Sequence, residues 1–155
     1  MKQKVLFLCT HNSARSQMAE GLLRALAGER FEAYSAGTEA TFVRPLAIEV
    51  MKEIGIDISG QTSKTLERYL SEPFDFVITV CDAAAEACPS FPNAKRRFHW
   101  SLPDPSRATG SEEEQRDLYR LVRDRLRQYI EEELLKTAEP TDSPNPSPHD
   151  AAASG

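Results

Sequence analysis

The stretch Cys9-Thr10-His11-Asn12-Ser13-Ala14-Arg15-Ser16 combines a nucleophile, a planar cation and a hydroxyl in one short run of chain. If it joins a strand to a helix, successive backbone N–H groups and the positive helix end converge on one spot, a cradle for a tetrahedral oxyanion. The Arg15 guanidinium adds a fork that can grip such an anion bidentately. The same field favours the thiolate of Cys9, the form that attacks, and Ser16 can donate a hydrogen bond that holds it ionised. Thr10, His11, Asn12, Ser13, Ala14 and Arg15 are therefore the expected oxyanion-binding residues. Asn12 is suited to a strained turn, since asparagine enters left-handed backbone more readily than most residues. A Cys and an Arg at this spacing are a weak signal alone; position between strand and helix gives the pattern its weight.

That position follows from the elements around it. Lys4–Cys9 is an apolar run that reads as a buried strand, and Ser16–Ala27 follows with Met18, Leu22, Ala25 and Leu26 at helical spacing before Gly28. Phe31–Ser35 reads as a second strand closed by Ala36-Gly37. Pro45 opens a helix whose apolar face is Leu46, Ala47, Val50, Met51 and Ile54, and a shorter helix is expected over Lys64–Leu70. Phe74–Val80 and Lys95–Trp100 are the remaining strands. Ser111 and Glu114 form a capping box for a last helix to about Lys136, with Leu118, Leu121, Val122, Leu126 and Ile130 as its inner face. This alternation predicts an α/β fold: a doubly wound, three-layer sheet of about four parallel strands flanked by helices. Ligands of such sheets bind beyond the carboxyl ends of the strands, where Cys9 and Cys81 end the two most apolar ones.

The bulk composition sets bounds. A chain of 155 residues, 40% hydrophobic and 28% charged, fits one domain able to bury roughly two-thirds of its unfolded surface. Residues 1–136 form the expected folded domain. Residues 137–155 carry Pro140, Pro144, Pro146 and Pro148 with no aliphatic larger than Ala, and are expected to be a disordered C-terminal tail. A net charge of −5 argues against a bulk nucleic-acid binder, and Lys95-Arg96-Arg97 reads as edge-strand charge that discourages aggregation. No apolar run approaches the roughly 18 residues of a membrane span, and Met1-Lys2-Gln3-Lys4 runs straight into the first strand, so a cytoplasmic protein is expected. Cys9, Cys81 and Cys88 are an odd, sparse set, read as reduced thiols kept for chemistry or as small core residues. The spacing of Cys81 and Cys88 is too wide for a zinc knuckle; His11 is read as a loop residue and His99 and Trp100 as packing beside the site, so neither metal nor cofactor is expected.

The run Val5–Ser16, with Cys-x5-Arg-Ser near its end, resembles the phosphate-binding loop of low-molecular-weight protein tyrosine phosphatases and of the arsenate reductases built on that fold. The resemblance continues through Glu20, Ser35-Ala36-Gly37, Gln61-Thr62-Ser63, the strand into Cys81, and Asp104-Pro105, over about residues 4–136. The pair Cys81 and Cys88 resembles the redox pair of thioredoxin-coupled arsenate reductases, as does His99-Trp100 before Asp104-Pro105. Phosphotyrosine enzymes of this fold usually follow Asp-Pro with aromatic residues; here Ser106 and Arg107 follow.

The resemblance implies arsenate as substrate, phosphate or sulfate as its mimics and thioredoxin as electron donor; for a chain of this size a monomer is the default expectation. It implies a three-thiol relay: Cys9 attacks arsenic, Cys81 then attacks Cys9 and releases arsenite, and Cys88 attacks Cys81, leaving a Cys81–Cys88 disulfide. The segment from Asp82 to Ala87 would rearrange as Cys88 reaches in. Asp104 is the implied general acid. Glu20, Ser35 and Thr62 match positions that surround an alkali cation near Asn12 in some arsenate reductases; those members carry Asp where this chain has Lys64. A Lys64 ammonium in the cation's place, paired with Glu20, implies a potassium-independent enzyme. Two other readings stand beside it: a low-molecular-weight protein tyrosine phosphatase, which uses the same Cys9, Arg15 and Asp104, and a redox-responsive oxyanion-binding module without turnover, which does not require that full set.

Overall fold

The computed structural model describes residues 2–82 and 88–137. The expected tail beyond residue 137, and residues 83–87 of the segment expected to rearrange, lie outside the described residues.

Four strands form one sheet: β1 (Gln3–Cys9), β2 (Phe31–Gly37), β3 (Phe74–Thr79) and β4 (Ala94–His99). All pairs are parallel and the spatial order is β2-β1-β3-β4. The chain starts in the middle, winds outward one way and returns the other, as expected of a doubly wound sheet. Alternation along β1 assigns its two faces. Val5, Phe7 and Cys9 join the larger core with α1 (Arg15–Ala27), α2 (Pro45–Lys52) and α3 (Glu112–Tyr129). Leu6 and Leu8 face a smaller core closed by Tyr69, Phe74, Val77 and Phe91. Lys95, Arg96 and Arg97 lie on β4, an edge strand, as their charge implied.

Two expectations are corrected. The helix read over Lys64–Leu70 is a single 3-10 turn, Leu66–Tyr69, because Lys64 and Thr65 are drawn into extended pairing instead: Gly37 donates its N–H to the Lys64 carbonyl at 2.9 Å and bridges to Thr65. On α3, Leu121 faces outward and is 44% exposed, whereas Tyr119, Val122, Arg123 and Leu126 are buried. The helix is rotated toward Tyr119 because the Arg123 stem and guanidinium are drawn inward, donating to the Val50 carbonyl at 2.8 Å and to Glu53 at 2.9 Å. The capping box forms as read, Ser111 Oγ accepting from the Glu114 N–H while Glu114 accepts from the Ser111 N–H.

Because every strand runs the same way, the carboxyl ends share one edge. Cys9 is level with Gly37, Leu8 with Thr79, and Thr79 with His99. The chain leaving β3 reaches Cys81 two residues later, beside the end of β1, where Val80 donates to the Leu8 carbonyl at 2.8 Å.

Candidate active site

The loop from Cys9 to Arg15 turns sharply enough that Asn12 adopts φ 49°, the only positive φ outside glycine among the described residues. Its side chain explains why an asparagine sits there. Oδ1 accepts from the Lys64 N–H at 2.8 Å and from Gln17 Nε2 at 2.9 Å, while Nδ2 donates to Ser16 Oγ at 2.7 Å. With its oxygen supplied by Asn12, the Ser16 hydroxyl is left to donate toward Cys9 Sγ, 2.9 Å away. Cys9 is a buried free thiol. Asn12, Ser13, Ala14, Arg15 and Ser16 are buried, and Thr10 and His11 partly exposed; His11 Nε2 lies 3.6 Å from the Glu39 carboxylate.

The opposite wall comes from the chain after β4. Arg15 is buried, yet its Nη1 donates to the Leu102 carbonyl at 3.1 Å and its Nη2 lies 3.6 Å from Asp104 Oδ2. Asp104 Oδ1 accepts from Ser106 N and Oγ at 3.0 and 2.7 Å. Ser106 therefore occupies one carboxyl oxygen and leaves the other facing Arg15. Burying a guanidinium is costly unless it is paired and hydrogen-bonded, and these two contacts come from one loop, through Leu102 and Asp104. Past the end of β3, next to the end of β1, Cys81 forms a disulfide with Cys88, their Cα atoms 6.0 Å apart.

Behind the loop, Glu20, Ser35, Thr62 and Lys64 converge as expected, with one correction. Ser35 donates to Glu20 at 2.5 Å, but the short ion pair of Glu20, 2.6 Å, is with Arg24 one helical turn on. Lys64 instead hydrogen-bonds the Thr62 carbonyl through Nζ. Burial pushes the Lys64 ammonium below its ordinary value, and the Glu20 carboxylate works against that. An alkali cation does not fit this donor set: the Glu20 carboxylate is taken by Arg24 and Ser35, and the Thr62 carbonyl by Lys64 and Gln17.

Several supporting residues carried no readable signal. Gln17, fully buried, ties the Asn12 carbonyl and side chain to the Thr62 carbonyl, and Gln61 holds it from behind at 2.7 Å. Gly37 packs so close that an added Cβ would lie 2.7–2.9 Å from Thr10 O, Asn12 N and Cys9 O. Leu102 acts only through its carbonyl. None of these has a type or spacing that marks it by itself; Gly37 and Gln61 lie inside the Ser35-Ala36-Gly37 and Gln61-Thr62-Ser63 runs of the family resemblance, which assign neither a role. Among the described residues no helix is long and apolar enough to cross a membrane.

Comparison with known proteins places this geometry. Residues 4–139 match the family model described as low molecular weight phosphotyrosine protein phosphatase. An arsenate reductase of Halalkalibacterium halodurans is 49% identical over 125 residues, 81% of this chain and 90% of that one. Among solved structures, an arsenate reductase in the phosphate binding state superposes with a TM-score of 0.75 at 36% identity, over 88% of this chain and 98% of the other. A thioredoxin-dependent arsenate reductase of Corynebacterium glutamicum superposes with a TM-score of 0.61 at 29% identity, over 87% of this chain and 63% of that one.

Proposed function

This chain belongs to the low molecular weight phosphotyrosine protein phosphatase family, and from that premise we propose that it works as an arsenate reductase, with thioredoxin returning it to the reduced state. The observation that carries this reading is a Cys81–Cys88 disulfide beside a free, buried Cys9. Ester hydrolysis needs the nucleophile, the arginine and the acid; it has no use for a redox pair at the next strand end.

In this reading arsenate binds the loop N–H groups and the Arg15 guanidinium, and the Cys9 thiolate, held by Ser16, attacks arsenic. Asp104 gives a proton to the departing oxygen, which leaves as water. Cys81 then attacks the Cys9 sulfur, the arsenic–sulfur bonding pair stays with arsenic, and arsenite departs with a Cys9–Cys81 disulfide left behind. Cys88 attacks Cys81, restoring the Cys9 thiolate. The arrangement with Cys9 free and Cys81 bonded to Cys88 corresponds to the end of that sequence. A dithiol donor returns two electrons and two protons to the pair.

The test is arsenate-dependent NADPH oxidation with thioredoxin and its reductase, repeated with Cys9→Ser, Cys81→Ser and Cys88→Ser. Loss of turnover in all three supports the relay; full activity of Cys81→Ser and Cys88→Ser would reject it. The same site should hydrolyse small phosphate esters weakly, since phosphate and arsenate share a shape and Ser106 and Arg107 supply no aromatic wall. A binding module without turnover is disfavoured by Asp104, which binding alone does not require. The reading extends to a cytoplasmic monomer and to potassium independence, with Arg24 and Lys64 supplying the positive charge at Glu20 and Thr62; a large potassium-specific rise in Tm would sink the latter.

A further inference from the structure

The relay leaves His99 without a role, although one of its ring nitrogens and the sulfurs of Cys81 and Cys88 lie within 4.8 Å of one another. We propose that, once the Cys81–Cys88 bridge is reduced, Cys81, Cys88 and His99 form a capture site for a soft divalent cation of the zinc class, which ties up both thiolates and halts thiol exchange. This goes beyond the arsenate reading and does not depend on it.

Zinc takes sulfur at about 2.3 Å and imidazole nitrogen at about 2.0 Å, so tetrahedral ligands stand roughly 3.3–3.8 Å apart. From the bridged arrangement the sulfurs have only to separate to that spacing, with the cation holding Cys88 near Cys81, and the imidazole already stands within reach. The ring is also oriented: Thr79 Oγ1 lies 2.7 Å from His99 Nδ1, which leaves Nε2 for the cation and supplies the outer partner that metal-bound imidazoles commonly have. Thr79 and His99 are level neighbours on β3 and β4, so the ring's support is built into the sheet register. Burial grades outward, with Cys81 buried, Cys88 intermediate and His99 exposed, so the cation enters from the His99 side and a fourth position stays open to water. Local spacing hides such a site, because its third ligand comes from the adjacent strand.

The chemistry balances. A dithiol reductant supplies two electrons and two protons to open the bridge, and the two resulting thiols release two protons as they bind one cation. The disulfide form has no thiolate to offer. Reduction therefore switches the site on, and a bound cation holds the pair reduced and idle.

Anaerobic titration of the full chain with cobalt(II), followed by displacement with zinc(II), tests the proposal. Reduced protein should bind one cation with a near-ultraviolet thiolate-to-cobalt band, and disulfide-bonded protein should show none. Cys9→Ser should bind as the parent does, and Cys88→Ser should lose the band. Thr79→Val should weaken binding about 10–100-fold, and His99→Gln by at least that factor. A band lost in Cys9→Ser but kept in Cys88→Ser would put the cation in the loop and overturn the assignment. Unchanged affinity in His99→Gln would overturn the three-ligand site.

Discussion

Asn12 is bound to its loop by two separate demands, one of the backbone and one of the side chain. A non-glycine residue at φ 49° carries about 1–2 kcal/mol of backbone cost unless local hydrogen bonds repay it, and the bonds to Lys64, Gln17 and Ser16 do so. Asn12→Ala should therefore lose more stability than Asn12→Gly, by about 1 kcal/mol, while both lose activity through Ser16; urea unfolding and arsenate turnover of the pair separate the two demands. At Asp104 the balance is different. In the proposed reaction its carboxyl would contribute a proton rather than a grip on the anion, with Arg15 and the loop supplying the binding. Asp104→Asn should lower kcat by about 10²–10⁴-fold with KM little changed, and steady-state kinetics on arsenate would show this split. An equal fall in kcat with a large rise in KM would instead make Asp104 a holder of Arg15.

At the scale of elements, β2 meets the loop with backbone against backbone. A methyl group on Gly37 would strike three main-chain atoms of Thr10, Asn12 and Cys9, none of which can swing aside as a side chain would. Gly37→Ala should cost turnover by at least about tenfold while the sheet survives, with activity lost at a temperature where circular dichroism is still native. Leu121→Gln, on the exposed side of α3, should shift stability by less than about 0.5 kcal/mol. This contrast shows where reading residues in order reaches its limit. The strand–loop–helix at Cys9–Ser16 and the Ser111–Glu114 cap were legible because each is set by neighbours within a few positions, and Asn12 because its residue type suits a strained turn, although its bond to Lys64 reaches far along the chain. The outward turn of Leu121 was not, since burial of Arg123 depends on Val50 and Glu53 about seventy residues away. The pairing of Glu20 with Arg24 is legible at i,i+4 spacing; Lys64, which the family resemblance pairs with Glu20, bonds the Thr62 carbonyl instead.

Across the whole molecule, α2 and α3 are joined by an acidic lock. Hydrogen bonds from Arg120, and then from Arg123, hold the Glu53 carboxyl at about 2 rather than 4.5, against the opposing effect of burial. A carboxyl depressed on folding contributes stability above its unfolded value and loses it as pH falls toward the folded one. Glu53→Gln should therefore lower Tm at neutral pH by about 3 °C, for a loss of about 1 kcal/mol at this partly exposed site. That deficit should shrink between pH 5 and pH 2, and a deficit constant across that window would assign the loss to packing. The composition beyond residue 137 leads to one more outcome: a chain ending at Thr137 should keep the turnover and Tm of the full chain.

Trp100 is the single tryptophan of the chain. It is 1% exposed and stacked on Tyr129 at 5.0 Å, and its indole N–H is buried with no hydrogen-bond partner. It follows His99 directly and stands two residues before Leu102, whose carbonyl holds Arg15. The protein thus carries a built-in optical probe, one fluorophore in an apolar slot whose emission should lie toward the blue. That short span of backbone runs from His99, close to the bridged cysteines, to Leu102, which holds Arg15, so opening the redox pair and filling the anion cradle should both be readable as light from an unlabelled protein.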